Sequence, residues 1–335
     1  MQHLMPRSYR PAPSQRPPPY IPEAPRVPPG TRRRDAVWRA AAQGVIRPFV
    51  HASERLSDRQ LRRAGFRDVF VSTPTGSVRA SMAHGRGTLP PVAVVHGLSS
   101  SVADYGLLLA RLTESCQSVI AIDLPGHGKS APLGQRVTEK RFMAGVTAAL
   151  DQVISTPTVI LGHSLGAYFA ARYAAARPGR TLGLALVSPF GAPVDPASRQ
   201  AYIRMFEVRS RSAAHAVSRR TQPGRWYMHP FMNAATRLRF QEPPMQRLLH
   251  SDLAWSQLSP SLLRTLKVPT ALIWGGEERM VPRAHQGYFI RHLPPHTFVT
   301  TVPGMSHAHP AMGTAPFLAS FEAFMRRLPR ARWTA

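Results

Sequence analysis

Thr158-Val159-Ile160-Leu161-Gly162-His163-Ser164-Leu165-Gly166-Ala167 is the stretch on which the reading of this chain turns. The run Thr158–Leu161 is apolar from Val159 onward and rich in β-branched residues, as expected of a strand buried on both faces. G-x-S-x-G comes at once, and Leu165–Ala176 then has the composition of a helix. A chain that passes from strand to helix within three residues must turn sharply. Gly162 and Gly166 lack the side chains that would block that turn. The turn lifts the Ser164 hydroxyl to the carboxyl edge of the sheet, which makes it a candidate nucleophile. The helix start behind it offers the Leu165 N–H, and a partial positive charge, to a developing oxyanion. G-x-S-x-G alone is a common pattern; the strand before it and the helix after it give it weight.

Working outward, short apolar strands alternate with longer helical stretches. Strands are predicted at Val92–Val95, Ser118–Ile122, Thr158–Leu161 and Leu182–Val187, and helices at Asp104–Leu112, Thr138–Ile154 and Leu165–Ala176. Alternation at this spacing implies parallel βαβ units in a doubly wound α/β sheet covered on both faces. Ahead of it, Arg67–Thr73 and Ser77–Ala83 flank Pro74-Thr75-Gly76, a hairpin signature. The alternation breaks over 189–267 and resumes at the strand Thr270–Trp274, the strand Thr297–Val302 and the helix Phe317–Arg327. The expected organisation is therefore a core of 66–188 and 268–335 interrupted by a helical cap at 189–267. Residues 35–65 precede the core as N-terminal helices, with Val37, Ala40, Ala41, Val45 and Phe49 on one face of the first, and Ser57 capping a second that stops at Gly65. Residues 1–34, with ten prolines, seven arginines and only Glu23 as an acid, read as a disordered Pro/Arg-rich arm.

Two further motifs end predicted strands. Val94-Val95-His96-Gly97-Leu98-Ser99-Ser100 has a glycine that lets the next amide, on Leu98, face the space before Ser164; Leu98 and Leu165 then form an oxyanion hole. His96 is expected to hold this loop by hydrogen bonds. Asp123-Leu124-Pro125-Gly126-His127-Gly128-Lys129-Ser130 forms a tight loop at the same edge, and it lacks the G-x-x-x-x-G-K-[ST] spacing of a phosphate-binding loop.

The elbow, the oxyanion loop and D-L-P-G-H-G-K-S together resemble the α/β-hydrolase superfamily, from residue 67 onward. The resemblance is specific for the superfamily and for no subfamily. It implies the chain order nucleophile, acid, histidine. The acid of such proteins stands in a stretch like W-G-x-x-D-x-x-V-P; here Trp274-Gly275-Gly276-Glu277-Glu278-Arg279-Met280-Val281-Pro282 puts Glu278 at that place, with Glu277 one position away. Asp195 is the nearest carboxylate after the strand Leu182–Val187. The histidine stands in a stretch like P-x-x-G-H; here Val302-Pro303-Gly304-Met305-Ser306-His307-Ala308-His309-Pro310 points to His307, with His309 as its rival. The resemblance thus implies a Ser164–His307–Glu278 triad, an acyl-enzyme, and no metal or organic cofactor. Ester hydrolysis is the leading expectation. Carbon–carbon bond hydrolysis, cofactor-free haloperoxidation, thioester hydrolysis and acyl transfer are alternatives on the same triad, and a non-catalytic binding protein is the reading outside enzymology.

The cap 189–267 contains Tyr202, Phe206, Trp226, Tyr227, Phe231, Phe240 and Trp255, with Met205, Met228, Met232 and Met245. Such residues suit either a pocket for an apolar acyl or alcohol group or the cap's own core. Its eleven arginines and Lys267 against four acids fit an anionic small-molecule ester or a general arginine bias. The formal charge of +26 is nearly all arginine, scattered rather than striped with aromatics, so dedicated nucleic-acid binding is not expected. Nothing in the pattern indicates peripheral membrane contact. No run reaches the roughly eighteen apolar residues of a membrane span, and the basic start has no apolar stretch behind it. Arg32-Arg33-Arg34 imitates an export signal, but Asp35 and Arg39 place charge too early in the segment behind it. The single Cys116 suits a reducing compartment, so the expected location is cytoplasmic.

Overall fold

Eight strands form one sheet in the order β1-β2-β4-β3-β5-β6-β7-β8. The computed structural model describes residues 47–134, 137–223 and 229–329. The strands are β1 (Arg67–Thr73), β2 (Gly76–His84), β3 (Val92–Val95), β4 (Ser118–Ile122), β5 (Thr158–His163), β6 (Thr181–Val187), β7 (Thr270–Gly275) and β8 (Phe298–Val302). β1 and β2 form the expected hairpin, and β2 also pairs antiparallel with β4; all other pairings are parallel. The mostly parallel, doubly wound sheet read from the alternation is thus the observed one.

Burial on both faces explains why the central strands carry uninterrupted apolar runs. β3, β5, β6 and β7 are buried at every position. Their side chains alternate between two cores. Ala93, Val95 and Ile160 face one, with Phe142 of α3 (Glu139–Val153) and Phe169 of α4 (Leu165–Ala176). Val92, Val94, Val159 and Leu161 face the other, with Leu61 of α1 (Arg47–Arg63), Leu108 and Leu112 of α2 (Gly106–Ser115), and Phe317 and Phe321 of α11 (Ala315–Met325).

Between β6 and β7 the expected helical insertion comprises α5 (Pro196–Phe206), α6 (Arg211–Thr221), α7 (His229–Phe240), α8 (Pro243–Leu249) and α9 (Pro260–Arg264). Asp195, Ser210 and Ser259 cap α5, α6 and α9 by accepting N–H groups of the first turn. Trp226, Tyr227, Met228 and the Phe231 side chain lie outside the described residues, as do 1–34 and most of the first predicted helix.

Three details differ from the sequence reading. Ser57 does not start a helix: α1 runs through it, and its hydroxyl donates to the Ala103 carbonyl at 2.5 Å. The expected stop at Gly65 holds, with φ +90° and the Phe66 N–H closing on the Leu61 carbonyl. The helix expected from Asp104 opens as a 3-10 turn, Val102–Tyr105, before α2. A helix that was not expected, α10 (Arg283–His292), comes after Pro282 and buries Tyr288 and Phe289; its apolar residues are too few to show a stripe in sequence. Among the described residues no helix is long and apolar enough to cross a membrane.

Candidate active site

Parallel register brings the motif-bearing strand ends to one edge. Val95 pairs with Gly162, His163 with Val187, and Gly275 with Val302, so the segments beyond those ends converge on the start of α4. There Ser164 adopts φ 55° and ψ −122°, a left-handed geometry that a side chain occupies only when its surroundings enforce it. The Ser164 N–H donates to Val187, and its carbonyl accepts from Ala167 and Phe190. The two glycines are sterically required. A Cβ on Gly162 would lie 2.5 Å from the Ala167 Cα, and one on Gly166 would lie 2.2 Å from the Val95 carbonyl oxygen.

Gly97 faces the Ser164 turn, 3.1 Å from the Ser164 Cβ when a Cβ is built on it. His96 is buried and hydrogen-bonded at both ring nitrogens. Its Nδ1 bonds the Gly97 carbonyl at 2.8 Å, and its Nε2 accepts the Leu124 N–H at 3.0 Å. That pattern defines one neutral tautomer, Nδ1–H, and burial holds the ring's pKa low. Among the described residues no backbone acceptor takes the N–H of Leu98 or of Leu165. Asp123, fully buried, braces the neighbouring loops: Oδ1 accepts the Val102 N–H at 2.7 Å and Oδ2 the Lys129 N–H at 2.9 Å.

The loops that bear Glu278 and His307 are stitched to each other. The Gly276 N–H donates to Val302 and the Glu277 N–H to Met305, so Glu278 is held against the segment bearing His307. Glu278 Oε2 accepts from His307 Nδ1 at 2.8 Å, while Oε1 takes the Met280 and Val281 N–H groups at 2.7 and 3.0 Å. Burial of this carboxyl works to raise its pKa. The charge and hydrogen bond of His307, with the Val281 N–H, outweigh burial and hold it down at about 2. Glu277 instead points outward, 49% exposed and paired with Arg279. Asp195 is spent on its helix cap. His309 turns back on its own loop, where its Nδ1 accepts the Ser306 N–H at 3.1 Å. Among the described residues no hydrogen bond joins Ser164 to His307, which is common where such a pair awaits substrate.

Sequence reasoning assigned no role to His163, although it is the second residue of the motif. Its ring lies 4.8 Å from that of His307 and bonds the Tyr105 hydroxyl through Nδ1. Burial, with His307 nearby, pushes it down to about 3, so it is neutral. Arg79, 2% exposed, was also unread; it binds Asp58, Asp68 and Asp123 and so ties α1, β1 and the Asp123 loop together. An isolated arginine in a strand pattern carries no signal of such a network.

Ser164 opens on a cavity of about 40 Å³ lined by Leu98, Leu165, Phe190, Tyr202, Phe206, Ala254, Trp255, Met280 and Val281. The insertion therefore supplies part of the lining, while Phe240 stacks on Phe206 at 5.1 Å behind it. Part of the insertion's arginine excess is already committed: Arg237 is buried, and Arg199, Arg209 and Arg239 pair with acids.

Residues 90–310 match the model of the family described as serine aminopeptidase, S33. The chain is similar to the dihydrolipoyllysine-residue acetyltransferase component of the acetoin cleaving system of Cupriavidus necator, at 32% identity over 114 residues, or 34% of this chain and 30% of that protein. It is also similar to the (lyso)-N-acylphosphatidylethanolamine lipase of Bos taurus, at 30% identity over 111 residues and 32% of each chain. Each alignment thus spans about a third of the relative's length. Among solved structures, naproxen esterase from Bacillus subtilis superposes with a TM-score of 0.64 at 15% identity, covering 82% of this chain and 96% of that one. At that identity the likeness speaks for the fold.

Proposed function

The chain belongs to the serine aminopeptidase S33 family of α/β-hydrolases, and from that membership we propose that it hydrolyses carboxylic esters through an acyl-enzyme on Ser164. His307 removes the Ser164 proton as the hydroxyl attacks the acyl carbonyl. Glu278 keeps the histidine in the Nδ1–H tautomer and stabilises the imidazolium that forms. The Leu98 and Leu165 amides receive the oxyanion. His307 then protonates the departing alcohol, and water, activated by the same histidine, releases the acid. His96, Gly97 and Asp123 hold the oxyanion loop, while Gly162 and Gly166 permit the turn. The insertion acts as the substrate cap.

One observation carries this reading. The buried Glu278–His307 pair, at 2.8 Å, and the strained Ser164 turn share a sheet edge with a cavity of apolar lining. The same lining favours an ester over a peptide. An aminopeptidase must receive the charged amino terminus of its substrate, and among the described residues no carboxylate lines the Ser164 cavity. It equally favours an uncharged acyl group. The cytoplasmic location that belongs to this reading rests on the single cysteine of the chain, Cys116.

A fluorophosphonate probe followed by peptide mass spectrometry tests the proposal. Ser164 is expected to be labelled, and Ser164→Ala to lose both labelling and turnover of short p-nitrophenyl esters. Labelling at Ser164 without ester turnover moves the assignment to another reaction on the same triad. A folded Ser164→Ala variant with full activity overturns it.

A further inference from the structure

The loop that carries the Leu98 amide is under backbone strain and depends on an anchor. Ser99, directly after Leu98, has φ +56°, a conformation that surrounding contacts must hold. Beside the Ser100 N–H bond to the Gly97 carbonyl at 3.4 Å, the contacts just beyond Ser99 meet on one atom. Asp104 Oδ2 accepts from the Ser100 hydroxyl at 2.9 Å, the Ser101 N–H at 2.9 Å and the Ser101 hydroxyl at 3.3 Å. The fourth donor to that oxygen comes from the insertion: Arg239 Nη1, in the last turn of α7, lies 2.8 Å away. Its other arm, Nη2, reaches Glu54 of α1 at 3.2 Å. The charge of Arg239, with its hydrogen bond, keeps Asp104 ionised against the burial that works to neutralise it.

We infer that Arg239 is a positioning residue through which the insertion sets the oxyanion loop, so that the Leu98 donor is in place only when α7 is docked. The inference rests on the ester-hydrolase reading for its kinetic consequence, but its structural content does not. A carboxylate that gathers three loop donors is a strong acceptor only while charged and oriented. Arg239 supplies both conditions and links them to the insertion, whose Tyr202 and Phe206 line the Ser164 cavity and whose α7 packs on that lining through Phe240. Without it, Asp104 keeps its loop donors but loses the fixed guanidinium that orients it, and the strained turn at Ser99 relaxes. An amide that drifts from the oxyanion lowers transition-state binding and leaves ground-state binding unchanged. A salt bridge serving stability alone would show the opposite pattern: a lower melting temperature and unchanged turnover.

The test compares wild type, Arg239→Ala, Arg239→Lys and Glu54→Gln. Readouts are p-nitrophenyl butyrate kinetics and hydrogen–deuterium exchange of peptides spanning 97–101. Arg239→Ala is expected to lose about tenfold to a hundredfold in kcat, less than deletion of an oxyanion donor, with KM within about twofold. Exchange over 97–101 is expected to quicken locally. Arg239→Lys, which retains the charge, recovers part of kcat, and Glu54→Gln leaves kcat near wild type. A folded Arg239→Ala protein with wild-type kcat and wild-type exchange overturns the inference, as does faster exchange spread evenly over the chain. If wild type fails to hydrolyse the ester, the proposed function falls, and the exchange measurement still decides whether Arg239 holds the loop.

Discussion

Glu278→Gln separates the proposed triad from a merely structural hydrogen bond. The carboxyl is held at about 2 against an ordinary 4.5, which at about 1.4 kcal/mol per pH unit amounts to roughly 3 to 4 kcal/mol in favour of the charged form. The side chain is 1% exposed, so water screens little of that. Withdrawing the buried charge beside the transition-state imidazolium costs on the order of a hundredfold in kcat. The local geometry adds to this. Oε1 is pinned by the Met280 and Val281 N–H groups, so the glutamine carbonyl oxygen must occupy that place. Its NH2 then faces His307 Nδ1 and forces the ring to carry its proton on Nε2, the wrong nitrogen for taking the serine proton. Tautomer reversal of this kind in a Ser-His-Asp enzyme costs about 10⁴ in kcat, so the expected loss lies between about 10² and 10⁴. The assay is p-nitrophenyl butyrate turnover at pH 8, with circular dichroism to verify folding. Glu277→Gln, whose carboxylate is 49% exposed and paired with Arg279, should stay within about twofold of wild type. A folded Glu278→Gln enzyme within threefold of wild type would refute the assignment.

Other consequences are read mainly from stability. Burial pushes His127 and His163 down to about 3 and His285 to about 4. Their folded pKa values lie below the ordinary 6.5, so the unfolded chain binds the extra protons and stability falls as pH drops from 6.5 towards 4. Each group contributes up to about 1.4 kcal/mol per pH unit, and urea midpoints equal at pH 7 and pH 5 would contradict this. His285→Gln, away from the triad, should flatten that slope. Gly166→Ala places a Cβ 2.2 Å from the Val95 carbonyl oxygen and is expected to cost about 3 kcal/mol or more, read as a lower melting temperature; an unchanged melt would show that the elbow can relax. Deleting residues 1–34 should leave folding and short-ester turnover nearly intact, because a Pro/Arg-rich segment buries little apolar area; an inactive truncated protein would make the arm part of the folded unit.

The sequence by itself determined the parallel sheet and the strand–turn–helix at Ser164. These are written in local patterns: apolar runs at β5 and β6, glycines that admit a tight turn at 162 and 166, and an alternation that lapses over 189–267. Backbone periodicity and steric demand act between neighbours, so neighbours reveal them. Choices between adjacent candidates were not legible. Glu277 and Glu278 are chemically alike, and only the stitching of two loops by Gly276–Val302 and Glu277–Met305 hydrogen bonds aims one at His307 and the other at solvent. His309 and His307 differ in the same way, one folded back on Ser306 and the other turned to the carboxylate. The sharing of one Asp104 oxygen between the Ser100–Ser101 loop and Arg239, 135 positions later, left no trace in either segment. Such contacts depend on how distant elements pack, and a side chain's partner across the fold is set by tertiary geometry that no local spacing encodes.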